Sequence, residues 1–251
     1  MKYILILLSI LYSISLSDEN KTEKITVGFG PYIQSQPYKN VDDLILASPV
    51  FFYDNNLIYV RWTRFGLYFL GNSSEEFSWG FSLTAQPRTN RYSPDDSFEM
   101  NGLSEKENSW EGGLAFSASL NDSYIEIMYL HDLLNKYNSY IAKVELGYSL
   151  EYEKISFYPS IVYTYQNSDF LNYYYGVSSN ETLTSNYSMY TPNSDFKFAA
   201  QSYINYKINK DLSALFNVRI DFLSKEARNS PLTEKNYYYS GLASLIYTFE
   251  Y

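Results

Sequence analysis

Apolar and polar residues alternate strictly along several long stretches of this chain. In "YYYSGLASLIYTFEY" at 237–251, one set of alternate positions contains Tyr239, Leu245 and Tyr247, and the other set contains Ser240 and Ser244. A period of two residues is typical of a β-strand with one apolar and one mostly polar face. The same pattern predicts strands at 25–34, 47–53, 57–62, 65–70, 77–86, 109–118, 122–131, 138–150, 154–166, 195–207, 212–222 and 237–250. The sequence therefore predicts an all-β fold.

Strand length and loop spacing distinguish a membrane barrel from a soluble β-sandwich. Many of the predicted strands exceed the ~5–6 residues usual in soluble sheets and reach the ~9–11 that a tilted strand needs to cross a bilayer. Short turns alternate with long polar stretches at 87–108, 167–194 and 223–236, as periplasmic turns and outer loops do in outer-membrane barrels. We predict a single transmembrane antiparallel up-and-down β-barrel over residues 18–251. It has twelve strands, or ten if the short strands at 45–70 merge.

The first residues, "MKYILILLSILYSISLS", combine one lysine, an apolar run and small residues near Ser17. This pattern predicts a cleaved signal peptide over residues 1–17, because the run is shorter than the ~20 residues of a membrane-spanning helix. We therefore expect export through the inner membrane to the bacterial outer membrane. The chain has no Cys, which excludes disulfides and thiolate sites. Its net charge of −9 argues against a nucleic-acid partner.

The last predicted strand has a pattern that barrel-assembly machinery recognises: apolar residues at every second position before a terminal aromatic. The residues of this predicted assembly signal are Leu245, Tyr247, Phe249 and Tyr251. We expect this strand to pair with the first strand, so that no sheet edge is exposed to lipid. The apolar outer face is predicted to contact outer-membrane lipid and lipopolysaccharide.

Charged residues occupy the polar files of the predicted strands and are expected to face the lumen. They are Lys143, Glu145, Lys197, Lys207, Arg219, Asp221 and Glu250. Mixed signs in a confined space predict a lattice of ion pairs and hydrogen bonds. Barrels of about eight strands are filled and those of about sixteen contain an aqueous channel, so twelve strands predict a narrow or partly plugged pore.

Few residues suggest catalysis or metal binding. His131 and Asp132 are adjacent, so in a strand they point to opposite faces, and we expect a solvated loop start there. Three acidic pairs could bind Ca²⁺ or bridge lipopolysaccharide but lack the spacing of a calcium loop; they are Asp42–Asp43, Glu75–Glu76 and Asp95–Asp96. Phosphate-loop, nucleophile-elbow and zinc motifs are missing from the sequence. We predict no enzyme, no catalytic or metal-binding residues and no cofactor.

Three stretches carry a family resemblance. They are "NGLSEKENSWEGGLAF" (101–116), "NYYYGVSSNETLTSNYSMYTP" (172–192) and "NSPLTEKNYYYSGLASLIYTF" (229–249). Together they resemble the MltA-interacting protein/OmpV family of outer-membrane proteins over essentially the whole chain after the signal peptide. The matching motif residues are Tyr173, Tyr174, Tyr175, Gly176, Val177, Ser230 and Pro231. Tyr173–Tyr175 could pack over the mouth of the barrel, or Gly176 could simply permit a tight turn while the tyrosines join an interfacial girdle.

The resemblance implies a scaffold or interaction role. The family's namesake links a murein hydrolase to a murein synthase at the cell envelope, so both enzyme types are expected partners. Two alternatives remain open at the level of sequence, namely a narrow channel for small solutes and a surface adhesin or receptor.

Overall fold

The computed structural model describes residues 23–74 and 76–250, so the predicted signal peptide, Glu75 and Tyr251 lie outside the described residues. Within these residues, twelve antiparallel strands form one closed barrel, which confirms the predicted fold class and strand number. The strands are β1 (Lys24–Gln34), β2 (Leu44–Asp54), β3 (Ile58–Arg61), β4 (Arg64–Ser73), β5 (Phe77–Arg88), β6 (Ser109–Leu120), β7 (Ser123–Asp132), β8 (Tyr140–Tyr148 and Leu150–Tyr152), β9 (Ile155–Gln166), β10 (Asp195–Lys207), β11 (Leu212–Phe222) and β12 (Tyr237–Glu250).

Each strand pairs with the next along the chain, and β12 pairs with β1 to close the barrel. The closing ladder runs from Lys24 opposite Glu250 to Gln34 opposite Ser240. Closure satisfies the backbone hydrogen bonds of the first and last strands, which hydrocarbon requires of any spanning structure.

The two faces of the wall differ as the alternation predicts. Large apolar side chains such as Phe29, Val218 and Leu245 are exposed on the outside. The intervening residues point inward, and Ser202, Asn217 and Ser244 are buried there among other polar groups. A barrel with an apolar exterior and a largely polar interior is a membrane barrel.

Short turns lie at the end of the barrel that contains Lys24 and Glu250, which identifies it as the periplasmic end. Two of these turns contain an asparagine in the left-handed conformation, Asn56 with φ 65° and Asn121 with φ 51°, a conformation that asparagine tolerates better than most residues. The long loops lie at the opposite, outer end.

The outer loops were predicted as polar stretches, but they contain regular structure and a buried aromatic core. They include the helices α1 (Ser168–Tyr175), α2 (Glu181–Thr184) and α3 (Lys225–Arg228) and two 3-10 turns, Pro94–Asp96 and Phe98–Met100. Tyr92, Met100, Tyr174 and Leu232 from these loops are fully buried. None of the helices in residues 23–74 and 76–250 is long and apolar enough to span a membrane.

β3 is much shorter than the strands on either side of it. β3 has four residues against 11 in β2, or about 13 Å of strand against about 36 Å. The β3–β4 hairpin turns at Trp62 and Thr63, opposite Phe51. Beyond this turn the residues Leu44–Val50 of β2 pair only with β1, and Gln86–Arg88 of β5 pair only with β6. The wall thus has twelve strands in its periplasmic part and ten in its outer part. We call this break the lateral gap.

Candidate functional site: a capped lumen

The barrel encloses a cavity of about 1530 Å³. Its lining includes Lys24 and Thr248, which stand at the periplasmic ends of β1 and β12, and it extends to Arg88 and Lys197 near the outer ends of β5 and β10. The cavity therefore reaches the periplasmic rim and extends outward to the base of the outer loops, where Thr89 and Asn90 line it.

A buried ion network joins β10, β11 and β12. The Asp221 carboxylate accepts hydrogen bonds from Lys197 Nζ at 2.7 Å and from Arg219 Nε and Nη2 at 2.6 and 2.9 Å. Lys197 Nζ also donates to Tyr238 Oη at 2.8 Å, and Arg219 Nη1 donates to Gln201 Oε1 at 2.8 Å. The structure thus brings together three of the charges that the sequence placed in the lumen. Two cations share one carboxylate, with a bidentate arginine contact that fixes its geometry.

Glu145 and Lys143 have different surroundings although both line the lumen. The Glu145 carboxylate accepts hydrogen bonds from Tyr124 Oη, Ser160 Oγ and Gln201 Nε2 at 2.8 to 2.9 Å. Gln201 therefore connects Glu145 to the Asp221 network. In the part of the chain that the structure describes, Lys143 Nζ makes no ion pair or hydrogen bond, and the charges that act on it include Arg219, Arg64, Glu145 and Arg88.

Two further ion networks were missed at the level of sequence. Glu126 accepts from Arg64 Nη1 at 2.5 Å and from Arg61 Nη1 at 3.3 Å, and Glu111 accepts from Arg88 Nε and Nη2 at 2.7 and 2.8 Å. The available signal was the position of both glutamates in the polar files of their strands. Glu126 lies on β7, and its partners Arg61 and Arg64 lie on β3 and β4, which are not adjacent to it. Strand periodicity alone does not identify such pairs.

The inner wall also carries an apolar patch, formed by Val50, Leu215, Leu242 and Ile246. Tyr32 and Trp62 pack against this patch, together with Phe52 and Tyr203. We call it the inner apolar patch. It lies next to the lateral gap, because Val50 belongs to the edge of that gap.

The tyrosines of the family motif lie in the core of a cap that covers the outer end of the barrel. Tyr174 and Tyr175 are fully buried in a cluster that includes Tyr38, Tyr92 and Leu232, while Tyr173 is partly buried against it. Of the two readings left open by the sequence, the geometry corresponds to packing over the mouth. The lumen is therefore blind at its outer end.

Backbone contacts hold the rest of the motif in this cap. Gly176 has φ −77°, so it does not need the left-handed freedom of glycine. Its role is steric, because a Cβ there would clash with the Asn172 carbonyl oxygen. Val177 exchanges two backbone hydrogen bonds with Tyr190, and Ser230 Oγ donates to the Tyr175 carbonyl at 2.6 Å just before Pro231.

Glu181 joins two outer loops. Its carboxylate accepts from the backbone N–H groups of Ser104 and Ser178 at 2.9 and 2.8 Å, and Lys106 Nζ lies 3.5 Å away. Burial alone would raise the pKa of Glu181, but these N–H donors, the Ser178 hydroxyl and Lys106 together lower it to about 2.

We expect acid to loosen this part of the cap. A carboxylate whose pKa is about 2 in the folded state and 4.5 ordinarily contributes stability above pH 4.5, and loses it as the pH falls toward 2. A nitroxide attached to Leu183→Cys, in a chain that has no other Cys, should become more mobile over that range. In Glu181→Gln the label should already be mobile at neutral pH, and its mobility should not change as the pH falls from 4.5 toward 2. A label that stays immobile in Glu181→Gln would contradict the role of Glu181.

The remaining sequence-predicted residues lie at the rim or on the outer surface. Leu245, Tyr247 and Phe249 are exposed on the lipid face of β12. Their recognition by assembly machinery stays a prediction. Lys207 is exposed at the periplasmic end of β10, and Glu250 forms an exposed 2.8 Å ion pair with Lys24. These two charges belong to the rim rather than to the interior of the lumen.

Asp132 is not the solvated loop start that we expected, whereas His131 is exposed. The buried Asp132 carboxylate accepts from Ser109 Oγ and from the N–H groups of Leu134, Tyr137 and Asn138. It therefore fixes the β7–β8 loop. Among residues 23–74 and 76–250, no group of three or more acidic or histidine side chains is placed to hold a metal ion.

The sequence matches the family described as MltA-interacting protein MipA over residues 27–249. The chain belongs to this family. It is 23% identical to the MltA-interacting protein of Escherichia coli K12 over 249 residues, which cover 98% of each chain. It is 21% identical to the outer membrane protein YiaT of the same strain over 228 residues, which cover 90% of this chain and 91% of that protein.

Among solved structures, an outer-membrane channel from Pseudomonas putida F1 resembles this member of the MltA-interacting protein family with a TM-score of 0.43. The identity is 12%, over 94% of this chain and 98% of that chain. The relatives are named as outer-membrane proteins, and the chain forms a closed membrane barrel. This member of the family is accordingly an outer-membrane protein.

Proposed function

We propose that this protein is an interaction barrel that holds a murein hydrolase, a murein synthase or both at the periplasmic face of the outer membrane. The observation that carries the proposal is the closed outer end of the lumen. A barrel whose outer mouth is covered by a buried aromatic core is not a standing diffusion pore. The polar surface that a partner can reach is then the periplasmic end of the lumen and the rim around it. The name of the Escherichia coli relative, MltA-interacting protein, supports a partner of the murein-processing class.

The periplasmic rim is suited to contact because its short turns are anchored. Ser149 donates its N–H to the Asp122 carbonyl, and Thr248 does the same to Asp211. Tyr148 and Tyr247 place their hydroxyls beside the carboxylates of these aspartates, at 3.4 and 3.5 Å. A rim that is ordered before binding loses little conformational entropy on association.

Site-specific photo-cross-linking tests this proposal. A photoreactive amino acid replaces Lys210, which is 89% exposed on a periplasmic turn, or Leu183, which is 85% exposed in the cap. We expect adducts with murein hydrolases or synthases at Lys210 and none at Leu183 when the chain is expressed at its native level. Recovery of no murein enzyme at either position would contradict the proposal.

A gated channel for small solutes is the second candidate. The observation that favours it is the polar, charged cavity of about 1530 Å³ below the cap. In planar bilayers, a channel should conduct in at least brief openings, and deletion of 178–192 from the cap should lengthen them. Silence of both the intact chain and the deletion variant across the voltage range would exclude the channel.

A further inference from the structure

The edge of β2 along the lateral gap has no strand partner. Trp62 N–H donates to the Phe51 carbonyl. Backbone groups point to the same side of a strand at every second residue, so the residues two, four and six positions before Phe51 direct theirs toward the gap. In the described residues, the N–H and C=O groups of Ala47 and Ile45 in this row have no hydrogen-bond partner. Pro49, in the same row, has no N–H to satisfy.

This edge lies on the outside of the barrel, in its outer half. Ile45 is 71% exposed, and Ala47 and Pro49 are also exposed. Unpaired backbone groups are costly in hydrocarbon, and proline on a sheet edge is a known way to keep the edge from pairing. Pro49 thus helps to leave this stretch of the β2 edge unpaired.

Trp62 stands at the inner side of the opening. Its φ of 59° is left-handed, a conformation that bulky residues rarely adopt. Its Nε1 donates to Ser48 Oγ at 3.0 Å, and its ring meets Tyr32 edge-on at 5.5 Å. The strained backbone thus holds an indole ring between the gap and the lumen.

The lumen behind Trp62 offers two chemistries on the lining of one cavity, an apolar patch and cationic side chains. The inner apolar patch begins at Val50, on the edge of the gap. Arg64 and Arg88 stand at the gap-side ends of β4 and β5 and line the cavity, where Glu126 and Glu111 are their ion-pair partners. Lys143 lines the same cavity, has no ion-pair partner among the described residues and is repelled by both arginines. A cavity that contains both an apolar wall and an unpaired cation fits a molecule with a hydrocarbon tail and an anionic head.

We propose that the lateral gap is a doorway, gated by Trp62, through which single-chain amphiphiles with an anionic head pass between the lumen and the outer leaflet of the membrane. The lumen is blind outward and reaches the periplasmic rim, so such a molecule would travel between the periplasm and the outer leaflet. This inference does not depend on the murein partner proposed above.

Tryptophan quenching in lipid vesicles tests the doorway. Trp79→Phe with Trp110→Phe leaves Trp62 as the reporter, and Trp62→Phe with Trp79→Phe leaves the lipid-facing Trp110 as the control. The probe is stearate bearing a nitroxide on its chain. We expect saturable quenching of Trp62, and non-saturable quenching of Trp110 that follows the amount of probe in the membrane. Quenching of Trp110 alone would overturn the proposal.

The head-group requirement is tested in the Trp62 reporter. Lys143→Gln should raise the half-saturating concentration of the nitroxide stearate by about tenfold, the effect of one lost hydrogen bond to a charged group. It should leave the uncharged methyl ester unaffected. Lys24→Gln, at the exposed rim, should change neither. Equal effects of Lys143→Gln on both probes would overturn the proposed anion preference.

A second copy of the chain is the competing occupant of the open edge. Ala47→Cys in this cysteine-free chain would then form disulfide-linked dimers at low density in vesicles. Dimers together with an unquenched Trp62 would overturn the doorway. Monomers with saturable quenching support it.

Discussion

Replacing Asp221 with alanine is expected to destabilise the barrel by about 3–5 kcal/mol, because it leaves two cations buried without their counter-charge. The Asp221 side chain is 2% exposed, and it is the acidic partner of both Lys197 and Arg219 in their ion pairs. The free energy of unfolding can be measured by urea titration in lipid vesicles, with the shift in gel mobility between folded and unfolded barrel as the readout.

Glu250→Ala provides the matched control for this prediction. It removes a carboxylate from the exposed ion pair with Lys24 at the rim, and exposed pairs contribute about 0–1 kcal/mol. Combining Asp221→Ala with Lys197→Met should recover part of the lost stability, because one of the unpaired cations is removed. If Asp221→Ala were no more damaging than Glu250→Ala, the network would not be a buried structural element.

The strand pattern could be predicted from sequence because lipid and lumen impose opposite demands on successive residues. The predicted strands at 195–207 and 212–222 have the same bounds as β10 and β11. The prediction was less defined at 45–70, where twelve and ten strands remained open. The structure explains this ambiguity, since the hairpin adds two strands to the periplasmic part of the wall alone. A four-residue strand has too few side chains to show a clear period.

The partners of the lumenal charges could not be predicted in the same way. Whether a side chain faces the lumen follows from its odd or even position in the strand. Which partner it reaches depends on the register of the strands and on the width of the lumen. Lys197 reaches Asp221 across the β10–β11 ladder, whereas Arg61 of β3 reaches Glu126 of β7 across the interior. Contacts across the lumen, such as that of Arg61 with Glu126, cannot be predicted from the local sequence pattern.

The cap was the least predictable part of the molecule. Its loops appear polar in sequence because of their many Ser and Asn residues. The buried residues are spread over five separate segments, which contribute Tyr38, Tyr92, Tyr137, Tyr174 and Leu232. No single segment has a period that marks its buried face. The tyrosine motif was visible in the sequence, but its position over the lumen depends on contacts among all five segments.

Val218→Arg is expected to destabilise the barrel by about 2–4 kcal/mol, the cost of an arginine on the lipid face near the middle of the membrane. Val218 is 53% exposed on the outer face of β11, between the inward-facing Asn217 and Arg219. The same urea titration in vesicles measures the loss. Val218→Ala keeps the face apolar and should cost well under half as much, which separates the effect of charge from that of size.

The neighbouring position tests the other face of the same strand. The strand pattern alone predicts that Arg219→Ser folds nearly normally, since one polar residue replaces another at a lumenal position. The structure revises this expectation, because Arg219 shares Asp221 with Lys197. Asp221 retains Lys197 in the variant, so the loss of folding free energy should be smaller than in Asp221→Ala, in which two cations lose their partner.

If Val218→Arg were tolerated while Val218→Ala was not, the two faces of β11 would be assigned the wrong way round, and the lumen, its ion network and the inner apolar patch would have to be reassigned with them.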